Sequence, residues 1–194
     1  MTRPYTLRKR AEQQAETRAR IVEAAIELHS TVGPAQTTFS MIAERAGVQR
    51  HTLYAHFPDE WSIALACSGA HLERAPLPDA AAWRAIAAPI ERLRAGLAGL
   101  YDYFARNASL MTCVLRDAEH HALTRDIMAM RFGPQLGAMQ GALCESLGDA
   151  GRALVPLAMS FHTWRTLTRD SGLDQAAAVE AMVQAIACAE RRAG

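Results

Sequence analysis

The chain has 194 residues, half of them hydrophobic, with 21 Lys and Arg against 20 Asp and Glu for a net charge of +1. That is ample apolar material for a core and excludes disorder for most of the length. No apolar run approaches the roughly 18 residues a membrane span needs, so no membrane partner is expected. Alanine is abundant, lysine occurs only at Lys9 and β-branched residues are sparse, which favours an all-α fold without substantial sheet. The near-neutral total hides an asymmetry: through Pro58 eight Lys and Arg oppose five Asp and Glu (+3), whereas from Asp59 thirteen oppose fifteen (−2). The positive end is where a polyanion-binding segment would lie.

Residues 1–14 read as a basic leader, frayed at its start, with Arg3, Arg8, Lys9 and Arg10 clustered. It has the charges of a secretory leader, but "AEQQAETRAR" stands where an apolar stretch should follow, so a cytoplasmic protein is expected. From Thr17, Ile21, Ala24, Ala25 and Leu28 recur at helical spacing and predict a helix to about Thr31, stopped by Gly33 and Pro34. A second, short helix follows with Thr37 or Thr38 as N-cap, Ile42, Ala43 and Ala46 inward and Gly47 at its end. A third runs over about 49–57, and a fourth starts at Asp59 and ends near "APLPD", where two prolines flank Leu77 as a candidate hinge. Beyond it the spacing predicts helices over about 80–106, interrupted or kinked at Pro89, then 108–118, 122–147 with a kink at "RFGPQ", 151–170 and 174–192.

Two short helices joined by about four residues with glycine at the corner form a helix-turn-helix, whose second helix fits a DNA major groove. Ala43 is small enough for close approach, and Val48, Leu53 and Phe57 supply the buried side. What is left outside is Gln49, Arg50, His51, Tyr54 and His56, all donors or acceptors and none acidic.

The stretch "TRARIVEAAIELHSTVGPAQTTFSMIAERAGVQRHTLYAHF", residues 17–57, resembles the N-terminal DNA-binding domain of the TetR family of bacterial transcriptional regulators. "FHTWRTLTRDSGL" is similar to the penultimate-helix region of some members. The resemblance implies a DNA-binding domain over 15–58 and a ligand-binding and dimerisation domain over 59–194. It also implies a homodimer paired through the last two helices, and a small-molecule effector that releases DNA. The sequence departs from the family where Gln49 replaces the usual Ser or Thr cap, where His51 replaces a small residue, and where Glu60 replaces a phosphate-contacting Lys. Glu60 is either ordinary drift at a surface position or, since a carboxylate beside a phosphate is repulsive, the sign that the ionic contact passes to Arg8, Lys9 and Arg10 in the leader. Gln49, Arg50 and His51, in the first turn, are expected to read base edges, and Thr37, Thr38, Tyr54 and His56 to meet phosphates.

Other constellations are weaker. In "DAEHH", Asp117, Glu119, His120 and His121 suggest a metal together with His162, but adjacent histidines on a helix point about 100° apart, and a solvated helix end is expected instead. Cys67, Cys113, Cys144 and Cys188 lack any C-x-x-C pairing and read as reduced, buried thiols. Tyr101, Phe104, Met111, Met128, Phe161 and Trp164 are the candidate lining of a pocket for an apolar or aromatic effector. Ala177, Val179, Met182, Val183, Ile186 and Ala187 make the last helix apolar over more of its circumference than one packed side requires, hence the expected dimer. No nucleophile elbow, P-loop or dinucleotide fingerprint occurs, and no cofactor, metal or catalytic residue is assigned. The expectation is a ligand-responsive regulator, a repressor on a palindromic operator; the alternative is a small all-α enzyme or carrier that uses the C-terminal cavity for chemistry.

Overall fold

The computed structural model describes residues 3–193, with side chains from 8 to 192. Among the described residues every regular element is helical: α1 Arg3–Thr31, a 3₁₀ turn Pro34–Gln36, α2 Phe39–Ala46, α3 Arg50–His56, α4 Glu60–Arg74, α5 Ala80–Arg84, α6 Pro89–Arg106, α7 Ala108–Ala118, α8 Ala122–Cys144, α9 Asp149–Ala158, α10 Phe161–Arg165, a π turn Thr166–Asp170, and α11 Gln175–Ala193. They form two compact units: residues up to Arg74 with Ser109–Met128, and Ala75–Ala108 with residues from Ala129 onward. The packing of the first unit thus extends past Pro58 through α4 and takes in α7.

In the first unit, the leader is no separate segment: α1 begins at Arg3, not Thr17. "RKRAEQQAETRAR" contains only good or tolerable helix formers, and Arg8 reaches Glu12 one turn on at 3.0 Å. The side chain of Arg3 lies outside the described residues. Between 8 and 20 the helix is exposed except at half-buried Thr17; packing begins at Ile21. There Ile21, Ala25, Ile42, Leu53, Phe57, Ile63 and Cys67 close one core, each large side chain contributing roughly 1.5–3 kcal/mol by leaving water. The Cys67 thiol is pushed up to about 12 by burial, which makes it inert. Cys113 is also buried, but Cys144 is half-buried and Cys188 exposed, so the expected burial of all four fails at the two that sit on outer helix faces.

In the second unit α6 is the central element, burying Leu93, Leu97, Leu100, Tyr101 and Phe104. Pro89 does not kink a long helix; it starts one, at the N-terminal position where its missing N–H costs nothing. Arg92, 5% exposed, spends its guanidinium on backbone oxygens, among them Ile86 at 2.9 Å and Glu145 at 3.1 Å, and so ties down the end of α8. The expected helix over 151–170 is broken at Met159–Ser160, where Ser160 caps a new short helix by accepting from the His162 N–H. On α11, Val179, Met182, Val183, Ile186 and Ala187 are all buried within the chain itself, Val183 and Ile186 completely. The face left outward is Ala177, Ala181, Ala185 and Cys188.

Candidate nucleic-acid interface

The turn of the helix-turn-helix rests on two local devices. The Thr38 hydroxyl accepts the Met41 N–H at 3.3 Å, capping α2 and leaving its own proton to donate outward. Gly47 closes α2 with φ 64° and ψ 40°, and its N–H reaches back to Ala43 and Glu44. A Cβ there would meet no atom within 4 Å, so it is the left-handed backbone, not lack of space, that calls for glycine.

The helix that follows is only Arg50–His56, with Gln49 in extended conformation as N-cap but without a side-chain cap hydrogen bond. Its inner side is Leu53, fully buried, with Phe57 just beyond at 1% exposure beneath the Arg18 guanidinium, 4.7 Å from the ring centroid. Gln49, Arg50, His51 and Tyr54 are exposed, and His56 is half-buried at the helix end. Tyr54, 46% exposed, leans on Phe39 at 5.0 Å between ring centroids, which fixes the direction of its hydroxyl. His51 lies 3.4 Å from the Thr52 hydroxyl. The structure therefore brings Thr38, Gln49, Arg50, His51 and Tyr54 together at one exposed edge. Thr37 differs: half-buried, its hydroxyl donates to the Gly33 carbonyl at 2.7 Å and so braces the turn before α2.

Neighbouring cations are partly committed. Arg45 pairs with Glu27, Arg20 reaches the Ala46 carbonyl at 3.4 Å at the end of α2, and Arg8 is shared with Glu12, whereas Lys9 and Arg10 are exposed. Glu60 sits in the first turn of α4, where the helix dipole favours it. Asp59 caps that helix, accepting the Ser62 N–H at 2.7 Å.

One residue that supports this edge escapes sequence reasoning. Asp117, expected at a solvated helix end, is 1% exposed. Its carboxylate accepts the Ala35 N–H at 2.9 Å and Arg116 Nε at 2.8 Å, while Arg116 also donates to the Val32 carbonyl at 2.8 Å. Burial alone would raise the Asp117 pKa, but Arg116 and the Ala35 N–H outweigh it and hold the carboxyl below its ordinary range. Gly33 packs against this pair with φ 105°, and any side chain there would collide with Arg116 and Asp117. The end of α7 thus clamps the turn that leads into Thr37 and Thr38. Glu119 and His120 are exposed as expected, and His121 bonds Thr124 at 2.8 Å. Among the described residues no group of three or more His, Cys, Asp or Glu could hold a metal ion.

Of the candidate pocket residues, Tyr101, Phe104, Phe161 and Trp164 come together in the second unit, with ring centroids 5.2–6.2 Å apart along the cluster. Met111 and Met128 fall in the first unit and are half-buried.

Comparison with known proteins agrees with this geometry. A family model described as "Bacterial regulatory proteins, tetR family" matches residues 21–66, the stretch that holds the core of α1, all of α2 and α3, and the start of α4. Residues 21–66 thus carry the sequence of a TetR-family helix-turn-helix. Over 50 residues it is 44% identical to the HTH-type transcriptional regulator SrpR of Pseudomonas putida, covering 26% of this chain and 24% of that protein. Over 60 residues it is 42% identical to the HTH-type transcriptional regulator TtgR of Pseudomonas putida, covering 31% and 29%. The chain spans only about a quarter of the length of these curated relatives. Two solved structures are similar to most of the chain at the level of fold alone. The transcriptional regulator FadR from Bacillus subtilis, solved in complex with stearoyl-CoA, has a TM-score of 0.61 at 20% identity, covering 87% of this chain and 96% of that one. Salmonella enterica GusR has a TM-score of 0.62 at 16% identity, covering 91% and 96%.

Proposed function

We propose that this TetR-family chain is a homodimeric, ligand-responsive DNA-binding regulator that acts as a repressor on a palindromic operator. The observation that carries the reading is the outward face of α3 and its flanks: Gln49, Arg50, His51 and Tyr54 are exposed and none is acidic, the turn before them is set by Gly47, and Tyr54 leans on Phe39. Arg50 reads a guanine through O6 and N7 with its guanidinium fork, and Gln49 and His51 contact neighbouring base edges. Thr38 and Tyr54 hold phosphates, with His56 at the helix end, while Thr37, its proton given to Gly33, serves by positioning. Arg8, Lys9 and Arg10, on the exposed first turns of α1, supply the ionic contact that Glu60 does not.

The second copy docks on the outward face of α11, where Ala177, Ala181, Ala185 and Cys188 are exposed, and on α9, where Leu157 is 54% exposed. The effector is a mainly apolar molecule bound in the second unit; FadR, solved with stearoyl-CoA, offers a precedent of fold for a ligand with a long apolar chain. Selection of bound DNA from a random pool tests the reading. The expected result is a palindromic consensus, bound with a steep salt dependence; recovery of unrelated sequences, or of nothing, overturns it.

A further inference from the structure

Trp164 is 2% exposed, yet its Nε1–H finds no acceptor among the described residues. An indole N–H is a donor only, and leaving one unpaired in the interior costs roughly 1–3 kcal/mol. Tyr101, equally buried in the same cluster, shows that the fold can satisfy such groups: its hydroxyl donates to the Ala158 carbonyl at 2.9 Å. That carbonyl is open because α9 ends at Ala158. The chain around Trp164 departs from regular helix on both sides, with the break at Met159–Ser160 before it and the π turn from Thr166 after it. The Thr168 hydroxyl is bonded back to the Trp164 carbonyl at 2.8 Å. A turn of that kind inside a helix re-aims the side chains beside it and recurs at functional sites.

The surroundings define what could meet the N–H. The rings against Trp164 are Phe104 at 6.0 Å and Phe161 at 5.2 Å, and these two meet edge to face at 5.5 Å. A water would need two or more polar partners, and the two rings that meet Trp164, Phe104 and Phe161, offer none. A charged ligand would be stripped of water among rings of Tyr101, Phe104, Phe161 and Trp164 that carry no counter-charge, which is costly. An uncharged planar molecule that parts these rings replaces their apolar contacts with its own, and one acceptor oxygen satisfies the orphan donor.

We propose that the cluster of Tyr101, Phe104, Phe161 and Trp164 is a ligand seat for an uncharged aromatic molecule carrying one hydrogen-bond acceptor, such as an aryl ketone, with Trp164 Nε1–H as the selecting donor. This rests on the ligand-responsive reading and sharpens it. The test compares 2-acetylnaphthalene with 2-ethylnaphthalene, which has a similar shape without the oxygen, by titration calorimetry on the full chain without DNA. The wild-type protein is expected to prefer the ketone by about tenfold or more. Trp164→Phe should bring the two affinities within about twofold of each other, with the hydrocarbon's affinity kept, since only the donor is removed. As a reading that needs no variant, one of the three indole N–H proton signals should move downfield with the ketone and not with the hydrocarbon. Equal affinities in the wild type, no saturable binding of either compound, or a ketone preference that survives in Trp164→Phe overturns the proposal. Because binding is measured on free protein, its failure is separate from that of the regulatory reading: a ketone that binds without releasing selected DNA leaves the seat standing and removes the response.

Discussion

Replacing Asp117 should loosen the turn that carries the N-terminus of α2. Asp117→Ala removes two hydrogen bonds to a carboxylate. The one from the Ala35 N–H belongs to a half-buried turn and is worth roughly 1.5–3 kcal/mol, as bonds to charged acceptors are. The one from Arg116 is a pair whose cation is 51% exposed, so solvent screening limits it to about 1 kcal/mol or less. The expected loss is therefore about 1.5–4 kcal/mol in urea unfolding of the first unit. Asp117→Asn keeps one oxygen for Ala35 and gives up the charge, so about half that loss is expected. The order wild type, Asn, Ala is the diagnostic. Acid supplies an independent check: the carboxyl is held below its ordinary range, so its stabilisation is present above about pH 4 and disappears as pH falls through the lowered value. The gap between wild type and Asp117→Ala should close in that window. DNA affinity should fall for operator and random sequences alike, since the turn positions Thr37 and Thr38. An Asp117→Ala protein within about 0.5 kcal/mol of wild type, or an Asn variant as weak as Ala, would refute the clamp.

Other outcomes follow from the same structure. Arg50→Ala should weaken operator binding by roughly 1–3 kcal/mol and relax preference at one base pair per half-site, whereas Tyr54→Phe should weaken all sequences equally; competition with single-base operator variants separates the two. His29, whose pKa burial lowers to about 4 against the opposing pull of Asp117, should make the protein less stable as pH falls from about 6.5 to about 4, because only the unfolded chain takes up the proton there. The share of His29 is at most about 3 kcal/mol, and denaturation of His29→Gln across that range should show a shallower slope. Ala185→Glu, on the outward face of α11, should yield a folded monomer by sedimentation, whereas a charge at fully buried Val183 should unfold the protein.

The helix-turn-helix is legible because its determinants are local: a cap at Thr38, a left-handed glycine at Gly47, and Leu53 and Phe57 at helical spacing on an otherwise polar helix. The end of α7 is not legible. The partner of Asp117 is a backbone N–H 82 residues away, and no sequence pattern distinguishes a carboxylate that will be buried by such a bond from one that stays in water. Similarly, the apolar residues of α11 stand out as a stripe, but periodicity cannot say whether a stripe faces its own chain or a second copy. The break in 151–170 is hidden because Ser160 caps as well as it continues a helix, and the choice is made by packing around Phe161 and Trp164.

The clamp also bears on how the protein comes to be. Because Asp117 and Arg116 complete a turn that starts at Val32, the helix-turn-helix unit is not finished when its own sequence has left the ribosome. At about 5–20 residues per second, some 85 further residues of synthesis separate Val32 from its closing partner, a delay of several seconds. During that interval the nascent chain carries the recognition helix with the loop in front of it unfastened. A chain cut after Arg74 would be held in that condition permanently, with Ala35 and Val32 bonded to water in place of α7, so no stretch that stops short of Asp117 holds this helix-turn-helix unit complete.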